Sequence, residues 1–121
     1  MKKILIIDDD IMTLQIMKKQ LEKYYDVQIE NAGYRFLKKI EEYHMDLILL
    51  DIEMPIMNGN QVFEEFKRMP EFQHIPVIFL TGVAEPQLVM QLMQEGAAGY
   101  IVKTAGKEEM LKKIERVLTK I

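Results

Sequence analysis

The 121-residue sequence contains no cysteine and no tryptophan. The lack of cysteine excludes disulfides, thiolate metal sites and cysteine nucleophiles. Basic side chains are not in excess, since 16 Lys and Arg stand against 19 Asp and Glu, and the net charge of −3 argues against a surface that coats nucleic acid. No apolar run approaches the ~20 residues that a membrane-spanning helix needs. The first run stops at three aspartates, so we do not expect these residues to form a signal peptide. We therefore expect a cytoplasmic protein that contacts neither membrane nor nucleic acid.

Short apolar runs alternate with segments of helical periodicity along the whole chain. Unbroken apolar runs cover residues 4–7, 47–50, 77–80 and 100–102, and a weaker alternating run covers residues 27–30. Unbroken runs are typical of strands that are buried on both faces, as in a parallel sheet with helices on each side. The alternating run indicates a half-exposed strand at the edge of the sheet.

Five segments with apolar residues three and four positions apart follow these runs and predict five helices. Gly96 is placed to end the fourth helix in a left-handed cap. The strict alternation predicts a single α/β domain over residues 1–121, a (βα)5 open parallel sheet with right-handed crossovers. The apolar stripes of the five helices are Leu14, Met17, Leu21 and Tyr24; Phe36, Leu37 and Ile40; Val62, Phe63, Phe66 and Met69; Leu88, Val89, Leu92 and Met93; and Met110, Leu111, Ile114, Val117, Leu118 and Ile121.

Polar side chains follow the inner strands at the points where those strands end. Residues 8–10 are aspartates that follow the first run, and Asp51, Thr81 and Lys103 follow the other unbroken runs. The carboxyl ends of parallel strands share one edge of the sheet, which is where open α/β folds place their sites. We therefore expect the carboxylates, one hydroxyl and one ammonium group to converge at this edge.

An acidic cluster of this kind needs compensating positive charge. Two carboxylates ~5 Å apart repel each other by about 3 kcal/mol at an effective dielectric of about 20, and three would cost roughly 10 kcal/mol. Lys103 supplies one positive charge. A hard divalent cation fits the remainder, because carboxylate oxygens without His or Cys select Mg²⁺ or a similar ion. An aspartate beside Mg²⁺, a lysine and a hydroxyl donor is equipped to attack phosphorus and to hold the resulting acyl phosphate.

Four motifs occur in order at the predicted strand ends: the acidic cluster at residues 8–10, the segment 51–59 (DIEMPIMNG), Thr81-Gly82 and the segment 99–103 (GYIVK). Together they resemble the receiver domain of a two-component response regulator of the chemotaxis-regulator type, over the whole chain. The resemblance implies the flavodoxin-like strand order 2-1-3-4-5. It also implies that a sensor histidine kinase or a phosphotransfer domain donates a phosphoryl group to this domain.

The resemblance assigns roles to the residues around the expected metal. Asp51 matches the aspartate that accepts the phosphoryl group from phosphohistidine. Asp8 and Asp9 match the acidic pair that holds Mg²⁺. Glu53 matches the position whose backbone carbonyl is a metal ligand, so its side chain need not be one.

The resemblance also assigns roles to three residues on the last two strands. Thr81 matches the hydroxyl that binds a phosphoryl oxygen, and Lys103 matches the cation that pairs with the phosphoryl group. Tyr100 matches the aromatic switch residue, whose ring moves inward on phosphorylation. The surface that changes is formed by the fourth helix, fifth strand and fifth helix, and its partner is an effector domain or a second copy of the chain.

One position departs from the family pattern. Receivers typically carry a proline after the active-site lysine, commonly with a cis bond, and here Thr104 occupies that place. A non-proline cis bond costs about 3 kcal/mol, so we predict a trans bond. Val83 and Glu53 flank the approach of a hydrolytic water, and we predict that they set the lifetime of the aspartyl phosphate.

The acidic cluster allows other interpretations. Asp10 is expected to cap the first helix rather than to hold metal. A haloacid-dehalogenase-like phosphatase would use Asp8 as nucleophile and Asp10 as acid/base, but it needs a later acidic motif where Thr81 stands. A degenerate receiver that only binds partners is favoured by Thr104 alone. Our main prediction is a domain that catalyses only its own phosphorylation and dephosphorylation.

Overall fold

A computed structural model describes residues 1–82 and 85–120, and five strands alternate with five helices within these ranges. The sheet has the order β2-β1-β3-β4-β5, and each neighbouring pair is parallel, so the predicted fold class and strand order are confirmed. None of the described helices is long and apolar enough to cross a membrane. The elements are β1 (Lys3–Ile7), α1 (Ile11–Leu21), β2 (Asp26–Glu30), α2 (Gly33–Lys38), β3 (Leu47–Asp51), α3 (Gly59–Lys67), β4 (Val77–Thr81), α4 (Pro86–Gln94), β5 (Gly99–Val102) and α5 (Lys107–Leu118), with 3-10 turns at Ile40–Glu42 and Pro70–Phe72.

The sheet lies between two hydrophobic layers. Side chains alternate along β1, so that Leu5 and Ile7 join the layer of α2, α3 and α4, whereas Ile4 and Ile6 join the layer of α1 and α5. Every residue of β3 and β4 is buried, as their unbroken apolar runs predict. Strand β2 alternates between exposed and buried residues at its start and lies at the edge, which confirms the interpretation of its weaker pattern.

Side-chain caps set the starts of the two helices that follow the acidic strand ends. Asp10 caps α1, because its Oδ1 accepts a hydrogen bond from the Met12 amide at 3.0 Å and its Oδ2 accepts one from the Thr13 hydroxyl at 2.9 Å. The Thr13 hydrogen bond lowers the pKa of Asp10. Asn58 and Gln61 form a reciprocal capping box at the start of α3. These caps fix the directions in which the two helices leave the sheet edge.

Gly96 ends α4 as predicted. Its φ of +108° is unfavourable for residues with a side chain. The Ala97 amide donates to the Leu92 carbonyl at 3.0 Å and the Gly96 amide to the Met93 carbonyl at 3.1 Å. This is the Schellman arrangement, which satisfies two carbonyls at the end of the helix.

The helices are shorter than their apolar stripes. Tyr24 lies beyond α1 and is 49% exposed, Ile40 lies in a 3-10 turn, and Met69 follows the end of α3. In α4, only Leu92 is buried, and Met93 is 43% exposed. The apolar spacing continues into the turns, where the chain has already left the helix, so periodicity overestimates the helical length there.

Candidate functional site

Charged groups from three strands meet at the carboxyl edge of the sheet. Asp8 and Asp9 follow β1, Asp51 ends the neighbouring β3, and Lys103 follows β5. One carboxylate oxygen from each aspartate lies within 4.8 Å of one from each of the others. The Lys103 Nζ lies 2.8 Å from Asp8 Oδ2 and 3.2 Å from Asp51 Oδ1. The convergence follows from the parallel sheet, because strand ends that are distant in sequence share this edge.

Two of the three carboxylates are buried. Asp8 is 0% exposed and Asp51 is 2% exposed, whereas Asp9 is exposed and opens the cluster to solvent. Asp8 Oδ1 accepts a hydrogen bond from the Asp10 amide at 2.9 Å, and Asp51 Oδ1 accepts one from the Glu53 amide at 3.3 Å. Among the described residues, Asp51 Oδ2 has no hydrogen-bond partner. The second oxygen of Asp51 is therefore a buried acceptor that the described part of the chain does not satisfy.

The electrostatics of the cluster favour a further positive charge. Burial, reinforced by the charge of Asp8, raises the pKa of Asp51 to about 7. Burial alone would lower the pKa of Lys103, but its hydrogen bond with Asp8 and the charge of Asp51 outweigh burial, and the net effect is an increase. Lys103 therefore stays charged. Three carboxylates and one ammonium leave two negative charges when all are ionised.

The donor set fits a hard divalent cation. It consists of carboxylate oxygens from Asp8, Asp9 and Asp51, and one of them has no partner in the described part of the chain. Such oxygen-only sets suit Mg²⁺ rather than softer metals. The Glu53 side chain is exposed, and this residue meets the cluster through its backbone amide. Val83, the other residue that we expect beside the site, lies outside the described residues, as does Ile121.

Backbone hydrogen bonds hold the strand ends beside Asp51. Thr81 ends β4, is 8% exposed, and accepts a hydrogen bond from the Lys103 amide through its carbonyl at 2.7 Å. The Ala105 amide donates to the Val102 carbonyl at 2.8 Å and closes a turn after β5. The peptide bond before Thr104, within this turn, is trans, as predicted. The turn thus keeps Lys103 directed at the aspartates with threonine at position 104.

A contact with Tyr100 was not predictable from the sequence. Tyr100 is half-buried on β5, and the Lys113 Nζ donates to its carbonyl at 3.0 Å and lies 4.7 Å from the centre of its ring. The pair is 13 positions apart, and periodicity alone gives no reason to pair them. The only available signal is that α5 must pass back across β5.

Comparisons with known proteins agree with this arrangement. The family model described as the response regulator receiver domain matches residues 4–115. The chain is 30% identical over 119 residues to the chemotaxis protein CheY of Halobacterium salinarum, with 98% of each chain covered. It is 39% identical over 100 residues to a Vibrio cholerae protein named "Probable cyclic di-GMP phosphodiesterase", covering 83% of this chain and 23% of that protein. A match to hybrid signal transduction histidine kinase D of Dictyostelium discoideum covers 8% of that protein. The chain thus spans less than a quarter of two of these relatives and nearly the whole of the third.

Solved structures support the same assignment. Vibrio cholerae CheY4 superposes with a TM-score of 0.89 at 29% identity, covering 97% of this chain and 98% of that one. A CheY-like receiver domain from Methanospirillum hungatei superposes with a TM-score of 0.87 at 33% identity, covering 98% and 94%. The chain therefore belongs to the response regulator receiver domain family, the phosphoacceptor modules of two-component signalling.

Proposed function

We propose that Asp51 accepts a phosphoryl group from the phosphohistidine of a sensor kinase or phosphotransfer domain. The observation that carries this proposal is Asp51 Oδ2, a buried oxygen with no hydrogen-bond partner among the described residues. It belongs to a carboxylate that lies beside two others and whose Oδ1 pairs with Lys103. Because Lys103 and the Glu53 amide hold Oδ1, the carboxylate is oriented and Oδ2 is the oxygen left for attack.

In the proposed step, Asp51 Oδ2 forms a bond to phosphorus as the phosphorus–nitrogen bond of phosphohistidine breaks. The bonding electron pair leaves with the imidazole nitrogen, and the product is an acyl phosphate. The Lys103 ammonium pairs with the transferred phosphoryl group, and the Thr81 hydroxyl donates to one of its oxygens. Water later attacks the same phosphorus, the bond between phosphorus and Oδ2 breaks, and inorganic phosphate leaves. In this proposal the chain catalyses no other reaction.

The residues proposed to hold Mg²⁺ are Asp8, Asp9 and Asp51 through carboxylate oxygens and Glu53 through its backbone carbonyl. When bound, the ion supplies positive charge that offsets the charge on the phosphoryl oxygens. Asp8 keeps its buried carboxylate in place through the Asp10 amide and Lys103. The charge balance of the cluster supports this set, since Lys103 alone leaves it negative.

The proposed output surface comprises α4, β5 and α5. Helix α4 contains no charged residue, has Leu92 as its single buried residue, and leaves Met90 61% exposed. An uncharged helix with exposed apolar side chains favours a protein partner, and we propose an effector domain or a second copy of the chain. Tyr100 joins this surface to the site, because it lies on β5, whose next residues lead to Lys103.

The two alternatives are less well supported. Asp10 would be the acid/base of a haloacid-dehalogenase-like phosphatase, but both of its oxygens are engaged in capping α1. A degenerate binding module would not need the Lys103 contacts to Asp8 and Asp51, which are both present despite Thr104.

Incubation of the purified chain with phosphoramidate and Mg²⁺ tests the proposal. We expect a mass adduct of one phosphoryl group per chain, absent in Asp51→Asn and in EDTA. Asp26→Asn, an exposed aspartate at the other edge of the sheet, is the matched control and should label normally. Equal labelling of Asp51→Asn and the wild type would refute the assignment. Catalytic turnover of a phosphate ester that is abolished in Asp8→Asn but not in Asp51→Asn would favour the phosphatase.

A further inference from the structure

Ile56 has an unusual backbone conformation in the loop between β3 and α3. Its φ is +70°, and it is the one non-glycine residue in the described part of the chain with a positive φ. The Met57 amide donates to the Pro55 carbonyl at 2.7 Å across it, which makes Ile56 the central residue of a γ-turn of the rare, strained form. A β-branched residue in this region is a clear outlier, since glycine and asparagine are the residues that fit there.

The isoleucine side chain does not compensate for this strain by packing. Ile56 is 85% exposed, the most exposed large apolar residue of the described chain. An exposed apolar group gains almost nothing from burial, and the turn would be less strained with glycine or asparagine. The stability of the isolated domain therefore gives no reason for isoleucine at this position.

The turn is held close to the proposed phosphoacceptor. The Gly59 amide donates to the Ile52 carbonyl at 2.8 Å, and the Gly59 Cα is so close to Asp51 that a Cβ there would collide with the Asp51 backbone oxygen. Three residues of chain reach at most about 11 Å. Ile56 consequently lies within about 15 Å of Asp51, on a loop whose end is fixed against it.

At this distance, the size of a phosphoryl donor decides whether it can contact Ile56 while it reacts with Asp51. A protein that forms a specific complex covers about 800 Å² of its partner, a patch roughly 16 Å in radius. A footprint of this size centred on Asp51 would extend far enough to cover Ile56. A small donor such as phosphoramidate reaches Asp51 without touching Ile56.

We propose that Ile56 is a docking residue for the phosphohistidine-bearing protein, inserted into an apolar depression beside that protein's phosphohistidine. This inference rests on the proposed function and adds a specificity-determining residue to it. The turn fixes the backbone of Ile56 and leaves its side chain in solvent before the partner arrives. Preorganisation of this kind reduces the ordering cost of binding.

The test compares protein and small-molecule donors on the same variants. Ile56→Asn suits the turn but removes the apolar group, Ile56→Leu restores an apolar group, and Tyr24→Gln removes an exposed apolar ring at the opposite edge of the sheet. The protein donor is the phosphorylated catalytic region of a histidine kinase, chosen from a panel as the one that labels the wild type fastest. The small donor is phosphoramidate with Mg²⁺.

For Ile56→Asn, we expect kcat/KM with the kinase to fall about tenfold, mainly through KM. The rate with phosphoramidate should stay within about twofold, and the melting temperature should not fall. Ile56→Leu should recover most of the loss with the kinase, and Tyr24→Gln should behave like the wild type. An unchanged rate of Ile56→Asn with the kinase, or a parallel fall with both donors, would overturn the inference. A failure of the proposed function would look different from a failure of this inference, because phosphoramidate would then not label the wild type at Asp51.

Discussion

Replacing Asp51 with asparagine is expected to stabilise the metal-free domain at pH 8. The Asp51 carboxyl is 2% exposed, and burial together with Asp8 raises its pKa to about 7, whereas an aspartate in the unfolded chain has a pKa of about 3.9. Between these values the folded state binds more protons than the unfolded state, so the stability of the wild type falls as the pH rises from about 4 to about 7. Above that window the full penalty of the ionised Asp51 is present.

The size of the penalty follows from the two pKa values. A difference of about three pH units corresponds to about 4 kcal/mol. Solvent at the open side of the cluster, where Asp9 is exposed, screens part of this energy, and about 2 kcal/mol is the expected gain. Asparagine keeps an oxygen for the Glu53 amide, and Lys103 keeps Asp8 as a partner, so the substitution leaves no new unpaired charge. For a domain of this size, 2 kcal/mol corresponds to a rise of roughly 6–10 °C in the melting temperature.

Thermal unfolding in EDTA at pH 5 and pH 8 measures this effect. The advantage of Asp51→Asn over the wild type should be large at pH 8 and about a third as large at pH 5, since the penalty grows with the pH above the unfolded pKa. Asp26→Asn, which removes an exposed carboxylate, should show no comparable gain. Saturating Mg²⁺ should raise the melting temperature of the wild type much more than that of Asp51→Asn. A variant that is less stable than the wild type at pH 8, or a gain that does not depend on pH, would refute the reasoning.

Three further predictions concern residues near the carboxyl ends of the strands. Gly59→Ala should cost about 2 kcal/mol or more in a urea titration, because its Cβ would collide with the Asp51 backbone oxygen, whereas Gly99→Ala should be tolerated since its Cβ would meet no described atom within 4 Å. Lys103→Met should lower the stability in EDTA by about 3 kcal/mol, because Asp8 loses the lysine ammonium that lies 2.8 Å from it. Mg²⁺ should restore part of the lost stability. An unchanged stability of Lys103→Met would contradict a stabilising ion pair. Burial raises the pKa of Tyr43 to about 12, together with the Glu30 carboxylate, which accepts a hydrogen bond from the Tyr43 hydroxyl at 2.9 Å. The protonated Tyr43 hydroxyl therefore stabilises the fold below pH 10, and this stabilisation is lost as the pH rises toward 12. Tyr43→Phe should show a smaller fall in the urea midpoint between pH 9 and pH 11, and an equal fall would contradict this.

The strand order and the meeting of the charged groups could be predicted because both follow from where the apolar runs stop. Asp8, Asp51 and Lys103 are 43 and 52 positions apart along the chain, yet each follows or ends a buried strand, and parallel strands bring those ends to one edge. Helix ends were predicted less well. Tyr24 and Met69 continue the apolar spacing of α1 and α3 but lie in the turns beyond them. Spacing reports which side of a helix is apolar and contains no information about where the backbone leaves the helix.

Contacts that depend on side-chain reach were not predictable. Lys113 approaches the carbonyl and the ring of Tyr100 across the interface between α5 and β5, and apolar spacing carries no information about the reach of a lysine side chain. The positive φ of Ile56 could not be predicted from the sequence either, because isoleucine is among the residues least compatible with a positive φ. The sequence predicts a turn between Met54 and Gly59 from its proline, asparagine and glycine, but not which residue takes the strained conformation.

The instability of the acidic cluster is consistent with the proposed switch. Asp8 and Asp51 are buried close together with one lysine between them, an arrangement that lowers the stability of the metal-free domain at neutral pH. A bound cation or a transferred phosphoryl group would change the charge of this cluster and therefore the free energy of the folded domain. The nearby α4 has one buried residue, and few contacts oppose its movement. We propose that the charge change at Asp51 shifts the position of α4, which requires the altered site to interact differently with two positions of this helix.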